Sequence, residues 1–383
     1  MRFASRLCLA PEDPAEITSA AASMRSELGE PATLVAVFAS ARFGDDLETI
    51  TGAVAGATGA DVLFGCTAGG VVGGAIEIEH APAVSLWAAA MPGVEIDARH
   101  VEHPGSDAAA FVNMPSIGDD TAALILVADP FTFPSDLFCT TIDHEHPRLT
   151  CVGGLASGGR QAGETRLVLD GSIHDTGAVA VALSGAVAVR TLVSQGCRPI
   201  GRSLLVTAGE RNRMLELGGR PAVDRLVETV AELAPEDREL IEGGLHIGRV
   251  VDEHKVEFGR GDFLIRNVVG IERDSGAVAI GDSVEVGSTV QFHVRDAVTA
   301  DEDLAALLAE IGDAETETGV LVFTCNGRGR RFFGMPDHDA AAIRALLGTS
   351  DVGGFFCAGE IGPVGGVNHL HGYTAAVAVL SAP

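Results

Sequence analysis

Apolar and polar positions along the first 130 residues switch between a helical and a strand period. Residues 14–28 set Ile17, Ala20, Ala21, Met24 and Leu28 on one helical face, and Gly29 follows as a stop. The run "ATLVAVFAS" (32–40) reads as a buried strand, and "DDLETITGAVAGATG" (45–59) reads as a helix weakened by glycine. Three more strands are predicted at "ADVLFGC" (60–66), "VSLWAAAM" (84–91) and "AALILVADP" (122–130). Strand and helix alternate at the start, which argues for an α/β layer. Strands then follow without a clear helix between them, so the sheet is expected to be mixed.

Period two takes over at residues 165–206. "TRLVLDGSIHDTGAVAVALSGAVAVRTLV" is punctuated by Asp170-Gly171 and Ser184-Gly185, which predicts a β-meander with two-residue turns. Val179, Val181 and Leu183 face one way and the intervening alanines the other, so 177–193 is expected to be a hairpin rather than a membrane span. A second unit starts near residue 219. "PAVDRLVETVAEL" is amphipathic, with Val223, Leu226, Val227, Val230 and Leu233 on one face. Polar strands are expected around 246–271, helices at 303–311 and 337–347, and apolar strands at 319–325, "GGFFC" and 375–380. No low-complexity linker intervenes. The expected fold is mixed α/β (α+β): two packed domains, 1–218 and 219–383, each a mixed β-sheet with flanking helices.

Composition narrows the function. The chain has 383 residues, 46% hydrophobic, with a mean hydropathy of +0.27, ample for packed cores. Its formal charge of −27 repels phosphate backbones, so neither nucleic acid nor an anionic membrane is expected as partner. Lys255 is the only lysine. Neither glycine-rich loop carries the lysine a P-loop needs, and Lys255 stands in too polar a stretch for a Schiff-base amine. The seven cysteines form no C-x-x-C pair, and residues 1–17 lack the apolar core of a signal peptide, so reduced thiols and a cytoplasmic location are expected. No apolar run reaches about 18 residues, so no membrane insertion is expected.

Four cysteines recur at strand ends before small residues: Cys66, Cys151, Cys325 and Cys357. "CTAGGVVGG" and "CAGEIGPVGG" echo one another, as related halves would. Glycine after a strand lets a backbone approach a neighbour closely, and ligands collect beyond the carboxyl ends of parallel strands. The loop "CNGRGRRFFG" puts Arg328, Arg330 and Arg331 on an acidic protein, and "CAGEIG" carries Glu360. An arginine fork suits a carboxylate and a glutamate suits an ammonium, so the two could hold an amino-acid-like zwitterion. Equally, Arg328 and Glu360 could pair with each other and pin the loops.

At these residues the chain resembles a known family. "FTCNGRGRRFFGMPDHD" and "FFCAGEIGPVGGVNHLHGYTA" resemble the C-terminal part of FIST proteins, intracellular signal-transduction modules, and "LIRNVVGIERDSGAVAIGD" and "VQFHVRDA" fit the same pattern. "LFGCTAGGVVGG" and "VSQGCRPIGRSLLVT" resemble the N-terminal FIST part. The resemblance runs from about residue 30 to the end of the chain. It implies a sensory domain proposed to bind small ligands such as amino acids, without an established reaction. Some members are linked to haem and nitric-oxide sensing, others to recruitment of ubiquitin-ligase substrates. No output segment is recognisable here, so a separate signalling protein is expected as partner.

Other chemistries remain in view. A thiol enzyme would use Cys325 or Cys357 with His371. "DHEH" (143–146) alternates metal-ligand types but lacks further close ligands and precedes Pro147, so no metal is expected. Haem has no axial ligand that twelve histidines single out, so no cofactor is expected. A protein-recruitment module is the last alternative. The expected function is non-catalytic binding of a small polar ligand. Its expected site comprises Cys325, Asn326, Gly327, Arg328, Gly329, Cys357, Gly359, Glu360, Gly362 and His371, joined by Cys66, Thr67 and Gly69 from the first half.

Overall fold

The computed structural model describes residues 1–11, 14–105, 110–312 and 317–383. They form two compact units. The first comprises Met1–Val193, Leu304–Leu370 and Thr374–Pro383; the second comprises Ser194–Asp303 and His371–Tyr373. These compact units differ from the expected domains 1–218 and 219–383, whose boundary runs between the strands Arg213–Leu217 and Arg220–Pro221 of one sheet. The second unit is an insertion between the strand Ala188–Gln195 and the helix Ala297–Ile311, so no single cut separates the units.

The first unit is built three times over. Each repeat sends a buried strand into a helix and back into a parallel strand. The pairs are Leu34–Ser40 with Val62–Ala68, Thr121–Ala128 with Thr150–Leu155, and Gly319–Cys325 with Val352–Cys357. The helices Leu47–Thr58, Ser135–Glu145 and His338–Leu347 make the three crossovers. After its second parallel strand each repeat sends a short hairpin to the next sheet. Val71–Gly73 and Ile76–Ile78 join the sheet of Val352–Cys357, Leu167–Leu169 and Ser172–His174 join that of Val62–Ala68, and Glu360–Val364 and Val367–His371 join that of Thr150–Leu155. The exchange is cyclic, so three six-stranded sheets lock one another in place.

One glycine in each repeat fixes the register. Gly65, Gly153 and Gly354 pair with Val37, Leu126 and Val322. A Cβ at these glycines would fall 1.8, 1.8 and 1.9 Å from the carbonyl oxygens of those same partners. Any side chain would break the ladder. The inner faces of the three sheets share a core that includes Phe38, Phe64, Ile125, Val152, Phe323 and Phe355. Phe38 lies 4.9 Å from Phe355 and Phe323 lies 5.6 Å from Phe355, ring to ring. Burying each such side chain contributes about 1.5–3 kcal/mol. The outer faces are covered by helices through Met24 and Val54, Phe138 and Ile142, and Leu304 and Ile343.

The second unit is one seven-stranded sheet, from Cys197–Glu210 to Arg220–Pro221, and its described pairings are antiparallel. Cys197–Glu210 also pairs with Arg213–Leu217, which curls the sheet round the core of Val206, Ile247, Val278 and Phe292.

The mixed α/β class holds, and so does the turn at Asp170-Gly171, where both residues take positive φ (48° and 82°) as a tight two-residue hairpin requires. One other expectation is corrected. Residues 177–193 alternate as strands do, but Ala178–Gly185 and Ala188–Gln195 lie in different sheets and form no hairpin. Alternation reports two buried faces, here the valines and Leu183 in one core and the alanines in another, and does not report the partner strand. A helix also stands at Ser135–Glu145, and most of "DHEH" is its last turn. Asp143 there accepts from the Asn368 amide nitrogens, and among the described residues no group of three or more metal-ligating side chains is assembled.

Candidate functional site

The three repeats bring the ends of their second parallel strands together. The Gly69 amide donates to Ser157 Oγ (2.8 Å), and that hydroxyl donates to the Phe356 carbonyl, so one serine ties the three loops. Main-chain bonds do the same: Phe356 to Gly70 (3.0 Å), Leu155 to Gly359 (2.7 Å) and Gly158 to Thr67 (3.1 Å). Thr67, Gly69 and Gly359 are thus tied into one cluster of loops. Ser157 escaped notice because "LASGG" carries neither charge nor thiol.

Thr67 faces the second repeat: its backbone N–H donates to the Arg166 carbonyl and its Oγ1 accepts from the Arg166 amide (2.9 and 3.0 Å). Gly359 and Gly362 are packing positions, where a Cβ would meet Leu155 at 3.0 Å and Val193 at 2.4 Å. His371 is buried at the end of Val367–His371 and groups with the second unit.

The turn after Gly319–Cys325 is tight. The Asn326 amide donates to the Cys357 carbonyl (2.9 Å), the Arg328 amide to the Cys325 carbonyl (2.8 Å) and the Gly327 amide to Cys325 Sγ (3.4 Å). Arg328 turns inward and is 1% exposed, whereas Arg330 and Arg331 are exposed. The expected arginine cluster is therefore one enclosed guanidinium and two surface ones.

Arg328 does not pair with Glu360. Its Nε and Nη2 donate to the two oxygens of Asp339, each at 2.9 Å. Asp339 also accepts from Thr324 Oγ1 at 2.6 Å and lies 2.9 Å from His338 Nδ1. The guanidinium sits 5.2 Å above the Phe333 ring, which also stacks on the His338 ring at 3.4 Å. Burial pushes the Asp339 carboxyl up, but the Arg328 charge and the hydrogen bonds from His338, Arg328 and Thr324 outweigh it and hold it well below the usual range. Asp339 was not foreseen, since its partner is 11 residues away across a turn and a one-turn helix.

Two acidic residues of the first repeat brace this turn from outside. Glu79 Oε1 accepts from the Arg330 amide (2.7 Å), and a Cβ on Gly329 would lie 2.0 Å from Glu79 Oε2, so Gly329 is what lets the carboxylate in. Glu77 Oε1 accepts from the Ala340 amide (2.9 Å) in the first turn of His338–Leu347. Burial, and then the neighbouring Asp339, lift the Glu77 carboxyl to about 8.

Glu360 is 0% exposed. Its Oε2 accepts from the Thr374 amide (3.0 Å) and hydroxyl (2.8 Å). Burial raises its carboxyl to about 8 against the opposing pull of Thr374, the Cys325 thiol and the Arg328 charge. The charge of Glu360 in turn bears on Arg328. Two atoms are left over: Glu360 Oε1 and Arg328 Nη1 have no hydrogen-bond partner among the described residues. In the equivalent hairpin positions the other repeats carry Val71 and Leu167, paired with Phe355 and Cys66 as Glu360 is paired with Gly154. Gly154 is bare because the Cys357 sulfur would lie 2.4 Å from its Cβ.

Burial pushes the thiols of Cys66 and Cys357 well above their ordinary value. No disulfide joins the seven cysteines, and Cys8 alone is other than buried. Open clefts of about 340, 390 and 430 Å³ lie elsewhere on the first unit, and none is lined by Arg328 or Glu360. No described helix is long and apolar enough to cross a membrane.

Comparison with known proteins matches residues 33–220 to the FIST N domain and residues 222–363 to the FIST C domain. An uncharacterized protein of Mycobacterium tuberculosis (strain ATCC 25618 / H37Rv) is 44% identical over 385 residues, covering 99% of each chain. An uncharacterized protein of Mycobacterium bovis is 41% identical over 384 residues, covering 99% of this chain and 98% of its own. A solved structure, the cyanuric acid hydrolase from A. caulinodans, aligns over 100% of this chain and 99% of its own at 13% identity and a TM-score of 0.33, a likeness too distant to carry an argument. FIST domains are associated with sensory roles in signal transduction. With both domains matched in order and relatives similar over its whole length, the chain belongs to the FIST family.

Proposed function

We propose that this protein is a non-catalytic, cytoplasmic sensory module that binds a small polar, amino-acid-like ligand in its first unit and signals through a separate protein. One observation carries the reading. Two enclosed ionisable side chains, Arg328 and Glu360, lie within electrostatic reach of each other, yet each keeps one polar atom unused. An enclosed polar atom without a partner costs about 1–3 kcal/mol. Two such atoms on residues within electrostatic reach of each other are what a receptor for a small polar molecule looks like without its guest. Cysteines without disulfides agree with a reducing compartment.

Native mass spectrometry of freshly purified protein, beside the denatured mass, tests this. A small extra mass lost on denaturation supports it, and the same extra mass in a Glu360→Ala variant argues against this site. The thiol-enzyme alternative is disfavoured by the burial that keeps Cys357 protonated. It would return if iodoacetamide modified Cys325 or Cys357 faster than a free thiol at neutral pH.

A further inference from the structure

The inventory of donors and acceptors around Arg328 and Glu360 narrows the class of guest. Both oxygens of Asp339 are filled, Oδ1 by Arg328 Nη2 and His338 Nδ1, and Oδ2 by Arg328 Nε and Thr324 Oγ1. The Arg328–Asp339 pair is closed to any incoming cation. What it leaves open is a donor, Arg328 Nη1. Glu360, within electrostatic reach of Arg328, has committed Oε2 as acceptor to Thr374, also feels the Cys325 thiol, and keeps Oε1 without a partner among the described residues. An ammonium would have Glu360 Oε1 for its acceptor and would face the Arg328 guanidinium.

We infer that the group received between Arg328 and Glu360 is a small carboxylate, held by Arg328 Nη1–H on one side and by the Glu360 carboxyl on the other. This rests on the ligand-site reading above. A carboxylate offers two acceptor oxygens to two donors, and both hydrogen bonds are charge-assisted. Burial favours the acid form that the second bond requires, since it raises the Glu360 carboxyl to about 8.

The groups that face Glu360 are the Cys325 thiol, Arg328 backed by Asp339, Thr374, and the Cys357 thiol, beyond which lies Cys66. The thiols of Cys357 and Cys66 are pushed up by burial and stay neutral. Glu77, which feels the charge of Asp339, is lifted to about the same value as Glu360 and must be separated from it. Once Glu360 ionises, its donor is lost and two carboxylates oppose each other.

The experiment uses the full-length protein and sodium acetate as the probe, with equal sodium chloride as control and methylammonium chloride as the cationic counterpart. Binding is followed by calorimetry and by the acetate-dependent shift in melting temperature, at about pH 6.5 and about pH 9.5. Acetate is expected to bind at the lower pH and to weaken about thirtyfold at the higher, the ratio that follows from a required proton with a pKa of about 8. Glu360→Gln keeps a donor at this position and cannot ionise, so it should bind acetate at both pH values. If Glu77 governed the pH dependence instead, the loss would persist in Glu360→Gln and overturn the assignment. Stabilisation by methylammonium and not by acetate would also overturn it, while leaving the site intact. No response to acetate at pH 6.5 overturns the carboxylate assignment. A retained mass in native spectrometry would then mean that the ligand reading survives, and its absence would mean that both fall.

Discussion

At the scale of single residues, the account stands on enclosed charges and their partners. Removing one member of the Arg328–Asp339 pair strands the other in an apolar setting. Arg328→Met should therefore cost about 3–5 kcal/mol in urea denaturation, and Arg328→Met/Asp339→Leu should cost less than the single substitution. Equal losses would mean that the pair is not coupled. Glu360 and Glu77 give a pH signature. Both carboxyls sit near 8 when folded, against an ordinary 4.5, so the folded chain keeps protons that the unfolded chain sheds. Stability should therefore fall as pH rises from about 4.5 to 8, and Glu360→Gln should flatten that slope. A slope unchanged by the substitution would show that Glu360 is ionised at neutral pH. Arg328 and Glu360 were legible in the sequence because charges in glycine loops on an acidic, apolar chain are conspicuous. Their partners were not. Asp339 and Thr374 lie 11 and 14 residues away, and each looks like an ordinary helix-start acid or strand threonine until the strands are paired.

At the scale of elements, glycine separates two opposite effects. Gly354 presses on the Val322 carbonyl, and Gly354→Ala should cost more than about 3 kcal/mol or abolish folding. Gly56 lies exposed in the helix Leu47–Thr58 with nothing within 4 Å of a new Cβ, so Gly56→Ala should stabilise by about 0.4–1 kcal/mol. Thermal and urea unfolding of the two variants would check both signs. A harmless Gly354→Ala would disprove the strand register that positions Cys357 and Glu360. Most strands and the long helices could be read from their periods. The partner of Ala178–Gly185 could not, because period two specifies faces and leaves pairing to loops and neighbours. The helix Ser135–Glu145 was hidden by its polar last turn.

At the scale of the whole molecule, the sequence echo between "CTAGGVVGG" and "CAGEIGPVGG" pointed to two related halves, and the first unit contains three related repeats. The echo is also out of register. Gly65 corresponds to Gly354, so Cys66 corresponds to Phe355 and Cys357 to Ala68. Each repeat needs only a buried strand, a crossover helix and a bare glycine where strands press together, so side chains elsewhere were free to diverge. That freedom lets the third repeat place Glu360 where its relatives hold Val71 and Leu167. The net charge of −27 implies self-repulsion across the folded surface, and melting temperature should rise between low salt and about 0.5 M sodium chloride as screening sets in.

The most direct test of the central claim is a crystal structure of the full-length protein grown near pH 6.5 in the presence of acetate, at a resolution that distinguishes a carboxylate from water. The account predicts density for a small molecule within hydrogen-bonding distance of both Arg328 Nη1 and Glu360 Oε1. A direct bond between those two atoms, or ordered water alone between them, would contradict it.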